Sequence, residues 1–139
     1  MNTLRIIISI HFLLIVCALY SQDTTPPVLL TPAKDTSFEC GQSISLVDKL
    51  TEWFNASGGA KFDDNSGIYS IQTNITLTQA ITIFNNSLDV LCGNTQKVDV
   101  TFSAIDASGN VSISTMASFF TTDKTPPSIS NVPNVQYNC

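Results

Sequence analysis

Histidine and arginine are almost absent from this sequence. His11 and Arg5 are the only residues of their types, and both lie near the N-terminus. If a leader that contains them is removed, the mature chain has no imidazole to act as a general base, complete a catalytic triad or bind zinc. It also has five lysines against eleven acidic residues. This acidic balance predicts that the chain does not bind nucleic acid or anionic lipid, because both require basic surfaces.

Long apolar runs are scarce as well, and the one that is present lies at Ile6–Tyr20. It follows a single positive charge and is shorter than the ~20 residues that a membrane-spanning helix needs. We therefore predict a signal peptide over residues 1–22, cleaved after Ser21 or Gln22. A membrane anchor and a lipid on Cys17 are the alternatives. The mature chain is expected to be secreted or displayed at the cell surface, without inserting into the membrane.

One segment occurs twice, at an offset of 100 residues. Asp23–Cys40 and Asp123–Cys139 both begin with Asp-x-Thr-Pro-Pro and end in cysteine. Such periodicity indicates a repeat. We assign 23–122 to one unit and 123–139 to the linker and first strand of a second, truncated unit. The sequence is therefore expected to be the N-terminal piece of a longer protein.

A short amphipathic helix is predicted at about 46–56. Ser45 and Asp48 have capping-box spacing, and Gly58 and Gly59 follow as stop signals. One helical face collects the large apolar side chains of Leu46, Leu50, Trp53 and Phe54.

The rest of the unit shows strand patterns. Lys97–Asp106 alternates apolar and polar residues, and Val111–Thr122 resumes the alternation after a turn, so the two predict a hairpin. Residues 79–93 are left unassigned. The fold class predicted is all-β: an antiparallel β-sandwich with one short inserted helix. The remaining predicted strands are Val28–Thr31, Thr36–Cys40 and Ile68–Thr78.

Four stretches together resemble a known family: PAKDTSFECG, LVDKLTEWFNASGGAKFDDNSG, LCGNTQKVDVTFSAIDASGNVSIST and TTDKTPP. They look like the HYR-like, immunoglobulin-like repeats of large exported surface proteins from bacteria of the Bacteroidetes group. The resemblance covers residues 23–139. It implies an immunoglobulin-like sandwich that serves as a spacer or adhesion module in a tandem array, and it does not imply an enzyme or a catalytic residue.

Three cysteines follow the predicted leader, and in an exported protein cysteines are read as disulfide partners. The family repeats often carry two more, at positions where this chain has Ser66 and Ser108. Because both are missing together, the resemblance implies that Cys40 pairs with Cys92. It also implies that Cys139 pairs with a cysteine of the next repeat.

Two acidic turns offer oxygen ligands for calcium, as acidic loops do at the junctions of other extracellular repeats. Asp, Asn and Gly are also ordinary turn residues. A site without metal is therefore the first expectation, and calcium binding is the alternative. The candidate ligands are Asp63, Asp64 and Asp106, with Asn65 and Asn110 beside them and Asp23 and Asp123 at the unit boundaries.

Four aromatic residues could provide a sugar-stacking platform: Trp53, Phe54, Tyr69 and Tyr137. The first two lie on the apolar face of the predicted helix, which favours core packing. The function predicted is therefore a non-catalytic spacer or adhesion module. Its partners would be neighbouring repeats and a surface glycan or protein. The alternatives are a carbohydrate-binding accessory module of a secreted hydrolase and a calcium-dependent adhesin.

Overall fold

The computed structural model describes residues 22–40, 44–67, 69–87, 95–126 and 128. Within them, the chain forms two helices and six strands, and the strands are arranged in two separate sheets. A short 3-10 turn, Ser57–Gly59, follows the first helix. The elements in chain order are β1 (Val28–Thr31), β2 (Thr36–Glu39), α1 (Leu46–Asn55), β3 (Lys61–Asp63), β4 (Tyr69–Thr73), α2 (Leu77–Asn86), β5 (Lys97–Asp106) and β6 (Thr115–Thr122).

The prediction of an all-β, immunoglobulin-like antiparallel sandwich is wrong. The fold is mixed α/β, since α1 and α2 have ten residues each and both sheets are open. One strand pair is parallel rather than antiparallel: β2 runs beside β6, with Thr36 opposite Phe119 and Glu39 opposite Thr122. The helix predicted at about 46–56 is confirmed, and it spans Leu46–Asn55.

The larger sheet has the strand order β2-β6-β5-β4. Its centre is the antiparallel pair β5 and β6, which confirms the pairing of the predicted hairpin. The second strand begins at Thr115 and not at Val111 as predicted, and Val111 and Ile113 are exposed. Strand alternation places every second residue of β5, from Val98 to Asp106, on the buried face. The smaller sheet is the antiparallel pair β1 and β3.

The core lies between the larger sheet and the two helices. Phe119 of β6 is its centre, with ring centroids 5.3 Å from Phe84, 5.4 Å from Phe38 and 5.7 Å from Trp53. These tilted and edge-on contacts are the arrangements that aromatic pairs prefer. The buried cluster consists of Leu50, Trp53, Ala80, Phe84, Val98, Val100, Phe102, Ala117 and Phe119.

Helix α2 occupies a region that the sequence left unassigned or read as strand. Its N-cap is Thr76, whose side chain accepts from the backbone N–H of Gln79 while the Gln79 side chain accepts from that of Thr76. This reciprocal pair satisfies two amide groups at the helix start. Ala80 and Phe84 are four residues apart, so both face the sheet and are buried.

Candidate metal centre

Three carboxylates from distant parts of the chain converge at one end of the molecule. They belong to Asp23, Asp64 and Asp106, and one oxygen from each lies within 4.8 Å of the other two. We call this group the acidic cluster. Asp23 lies in the extended segment before β1, Asp64 follows β3, and Asp106 ends β5. The cluster therefore joins the segment that enters the unit to two of its turns.

Asp106 organises the turn between β5 and β6. Its Oδ1 accepts from the N–H groups of Ser108 and Asn110, both at 2.8 Å, and its Oδ2 accepts from Nδ2 of Asn110 at 2.7 Å. Burial by itself would raise the pKa of Asp106. The hydrogen bonds from Asn110, Ser108 and Gly109 outweigh burial and hold the pKa below its usual value. Asp106 is therefore a carboxylate at neutral pH.

Asp64 is 9% exposed, and within the described residues only one of its two carboxylate oxygens accepts hydrogen bonds. Its Oδ2 accepts from the N–H of Ser66 at 3.0 Å and from the Ser66 hydroxyl. Its Oδ1 is buried and has no hydrogen-bond partner among the described residues. A buried carboxylate oxygen without a partner is costly, and native structures contain few of them.

Asp23 is held in the cluster by both its side chain and its backbone. Its Oδ1 accepts from the N–H of Thr25 at 2.9 Å and from Nδ2 of Asn65 at 3.2 Å. Its carbonyl accepts from Nδ2 of Asn110 at 2.9 Å. One amide group, that of Asn110, thus bridges Asp23 and Asp106. We call residues 22–27 the entry linker.

No basic side chain neutralises the acidic cluster within the described ranges. Both ion pairs found there lie elsewhere: Lys49 with Glu52 at 2.7 Å and Lys97 with Asp99 at 3.0 Å. Three carboxylates at this separation repel one another. An open cleft lies beside them and gives access from solvent. Its lining is Gln22, Asp23, Thr24, Thr25, Asn65 and Ser66.

The structure brings together two of the three candidate calcium ligands. The third candidate, Asp63, lies outside the cluster, and Asp23 is in its place. Asp64 and Asp106 belong to the cluster, whereas Asp63 is exposed at the end of β3, opposite Val28. Strand alternation explains the difference, because Phe62 is buried and its neighbours in β3 face outward. Asp23 takes the third place, although it is 41 positions from Asp64 in the sequence.

The second copy of the Asp-x-Thr-Pro-Pro motif is also attached to the body of the unit. We call residues 123–126 the exit linker. Glu39, at the end of β2, accepts through Oε1 from the N–H of Lys124 at 2.7 Å and from the Thr125 hydroxyl at 3.1 Å. The hydrogen bond from the Lys124 N–H is the main reason that the pKa of Glu39 lies below its usual value.

The two linkers share one local turn. In the entry linker Asp23 Oδ1 accepts from the N–H of Thr25 at 2.9 Å, and in the exit linker Asp123 Oδ1 accepts from the N–H of Thr125 at 3.1 Å. These are Asx turns, in which a side chain closes the loop that a backbone carbonyl would close. The sequence repeat therefore has a structural counterpart.

The three described members of the possible sugar-stacking platform do not share an exposed face. Trp53 is 8% exposed, and its ring packs 5.7 Å from Phe102. Phe54 also packs against Phe102, at 6.0 Å. Tyr69 is partly exposed and donates its hydroxyl proton to the carbonyl of Phe62 at 2.9 Å. Core packing, the use favoured by the sequence, accounts for Trp53 and Phe54.

Several sequence predictions concern residues outside the described ranges. Cys40 is half-buried just after β2, but Cys92, Cys139 and Tyr137 lie outside those ranges. The disulfide thus stays a prediction, as do the signal peptide and the strand after the exit linker. Within the described residues, neither helix is both long and apolar enough to span a bilayer.

Comparisons with protein-family models, with curated proteins and with solved structures give no match to this chain.

Proposed function

We propose that residues 23–122 form a non-catalytic extracellular module that acts as a spacer or adhesion domain in a tandem array. The observation that supports this proposal is that both copies of the Asp-x-Thr-Pro-Pro motif are hydrogen-bonded to the same folded unit. Asn65 and Asn110 hold the entry linker at Asp23, and Glu39 holds the exit linker at Lys124. A unit that orients both of its linkers suits the spacing of neighbouring domains.

The chemistry of the linkers supports the same role. Each continues from its Asx turn into Pro-Pro, and proline fixes φ and favours an extended chain. Proline-rich linkers act as semi-rigid spacers rather than flexible tethers. The composition of residues 23–139 agrees, since this segment lacks the histidine that many hydrolytic mechanisms use.

The test is backbone order in the exit linker, measured by ¹⁵N relaxation on residues 23–139 in a buffer with a calcium chelator. In the unmodified chain, we expect order parameters at Lys124 and Thr125 near the ~0.85 of rigid backbone. The substitution Glu39→Ala should lower them toward about 0.6. Glu52→Ala is the matched control, because Glu52 is exposed and, within the described ranges, its carboxylate pairs with Lys49 alone. A disordered exit linker in the unmodified chain would refute the oriented-spacer role.

Export is tested separately on intact cells that express the full-length protein. Protease added outside the cells should remove the protein from the surface. Protection of the protein until the cells are broken would contradict an extracellular role.

A further inference from the structure

We propose that the acidic cluster is a calcium site, in which Asp23, Asp64 and Asp106 bind one ion and thereby clamp the entry linker to the folded unit. Calcium binding goes beyond the spacer role and does not depend on it, because all three ligands belong to a single unit.

The strongest observation is the unsatisfied oxygen of Asp64. This residue is 9% exposed, and its buried Oδ1 has no hydrogen-bond partner within the part of the chain that the structure describes. The carboxylate that carries this atom is one of the three in the cluster. A cation bound by this carboxylate would supply the partner that the described residues do not give Oδ1, and would remove the repulsion between the three carboxylates.

The ligand chemistry indicates a hard cation. Carboxylate oxygens suit calcium and magnesium, whereas soft or borderline metals prefer the sulfur and imidazole ligands that this cluster lacks. Calcium binds oxygen at about 2.3–2.6 Å, so two of its ligands can be up to about 5 Å apart. The cluster oxygens lie within 4.8 Å of one another. Calcium is favoured over magnesium because it accepts irregular coordination, whereas magnesium requires near-ideal octahedral geometry.

The surrounding hydrogen bonds preorganise the site. Asn110 donates to the side chain of Asp106 and to the carbonyl of Asp23, and Asn65 donates to the side chain of Asp23. Such outer partners orient metal ligands. With three carboxylates and an open cleft beside them, we expect a dissociation constant of about 10⁻⁴ to 10⁻³ M, which is typical of extracellular calcium modules.

The test uses residues 23–139, first treated with a chelator and then titrated with calcium chloride by isothermal calorimetry and thermal unfolding. We expect saturable binding and a melting temperature that rises with calcium. Magnesium at the same concentration should produce a smaller rise. An equal response to both ions would overturn the assignment to calcium.

Adjacent residues provide a matched pair of variants. Asp64→Asn should weaken calcium binding by at least about tenfold, the cost of losing even an indirect partner of a metal. Asp63→Asn makes the same change in charge one residue earlier, at an exposed side chain, and should leave the affinity unchanged. If Asp64→Asn does not fold, Asp23→Asn replaces it, since Asp23 lies outside every helix and strand.

Three results would overturn the proposal. They are the absence of calcium binding by the unmodified chain, an equal loss of affinity in the variants at positions 63 and 64, and full binding by the variant at position 64 or 23. None of these would affect the spacer role, because exit-linker order is measured without calcium and depends on Glu39.

Discussion

Gly58 is the position where adding one methyl group should have the clearest effect. It has φ +62°, and a Cβ built there would lie 3.2 Å from Ala33 Cβ and 3.3 Å from ring atoms of both Trp53 and Phe102. Its carbonyl also accepts from the N–H of Lys34 at 2.9 Å. The turn after α1 is therefore packed directly on the core and on the connection between β1 and β2.

Gly58→Ala carries two separate costs. An alanine in the left-handed region costs about 1–2 kcal/mol, and crowding in a packed core adds about 1–3 kcal/mol. Gly67→Ala carries only the first cost, since Gly67 has a similar φ of +68° and no atom of the described residues outside its chain neighbours lies within 4 Å of its Cβ position. The difference between the two variants therefore isolates the packing contribution.

The assay is urea unfolding followed by far-UV circular dichroism in a buffer with chelator. We expect Gly58→Ala to lower the free energy of unfolding by at least about 1 kcal/mol more than Gly67→Ala, the lower bound of the crowding cost. In a domain of this size, 1 kcal/mol corresponds to a further fall of about 4 °C or more in melting temperature. Equal losses in the two variants would refute the close contact at Gly58.

Three further predictions concern the core, the exit linker and the cysteines. Phe119→Ala should cost about 3–5 kcal/mol, whereas Met116→Ala on the same strand, 67% exposed, should stay within about 0.5 kcal/mol; equal midpoints in urea would contradict the core described. Because hydrogen bonds lower the pKa of Glu39, its contribution to linker order should persist above its usual value of 4.5 and be lost as pH falls through the lower folded value. An NMR titration of the linker amide whose midpoint is at or above 4.5 would contradict this. Mass spectrometry of the unreduced chain should find Cys40 linked to Cys92, a loop of 52 positions worth about 4 kcal/mol in the loop-entropy picture, and free thiols at both would disprove the bridge.

Local patterns predicted α1 and the β5–β6 hairpin because their signals and their burial agree. In α1 the N-cap Ser45 accepts from the N–H of Asp48, and Leu50 and Trp53 are buried as the helical spacing requires. In the hairpin the alternation of Lys97–Asp106 matches the buried and exposed sides of the sheet. Local preference and tertiary packing support the same structure at both places.

The incorrect predictions concern residues whose intrinsic preference for helix or strand disagrees with the structure that packing imposes. Residues 68–78 are rich in isoleucine and threonine, which favour strands, yet β4 stops at Thr73 and α2 starts at Leu77. The Thr76 and Gln79 capping box was the signal that could have located this helix. The parallel pairing of β2 with β6 had no local signal, because it depends on β1 and β2 joining different sheets on either side of a four-residue connection.

The acidic cluster was predictable only in part. The turn composition identified Asp64 and Asp106, and strand alternation around the buried Phe62 could have excluded Asp63. The place of Asp23 depends on long-range contacts with Asn65 and Asn110. The sequence names Asp23 only as an acidic residue at a unit boundary, because contacts between distant residues follow from the fold and not from local sequence.

The parallel pairing of β2 with β6 determines how the unit would respond to a pulling force. The chain enters β2 at Thr36 and leaves β6 at Thr122, and these residues lie at opposite ends of the paired strands. Tension applied between Thr36 and Thr122 would slide the two strands along each other, so it would load their hydrogen bonds in shear, all at once. Tension across the antiparallel β5–β6 hairpin would instead open its bonds one after another. Single-molecule stretching should therefore require more force between attachment points at Thr36 and Thr122 than across the hairpin, and equal forces would argue against load transfer through β2 and β6.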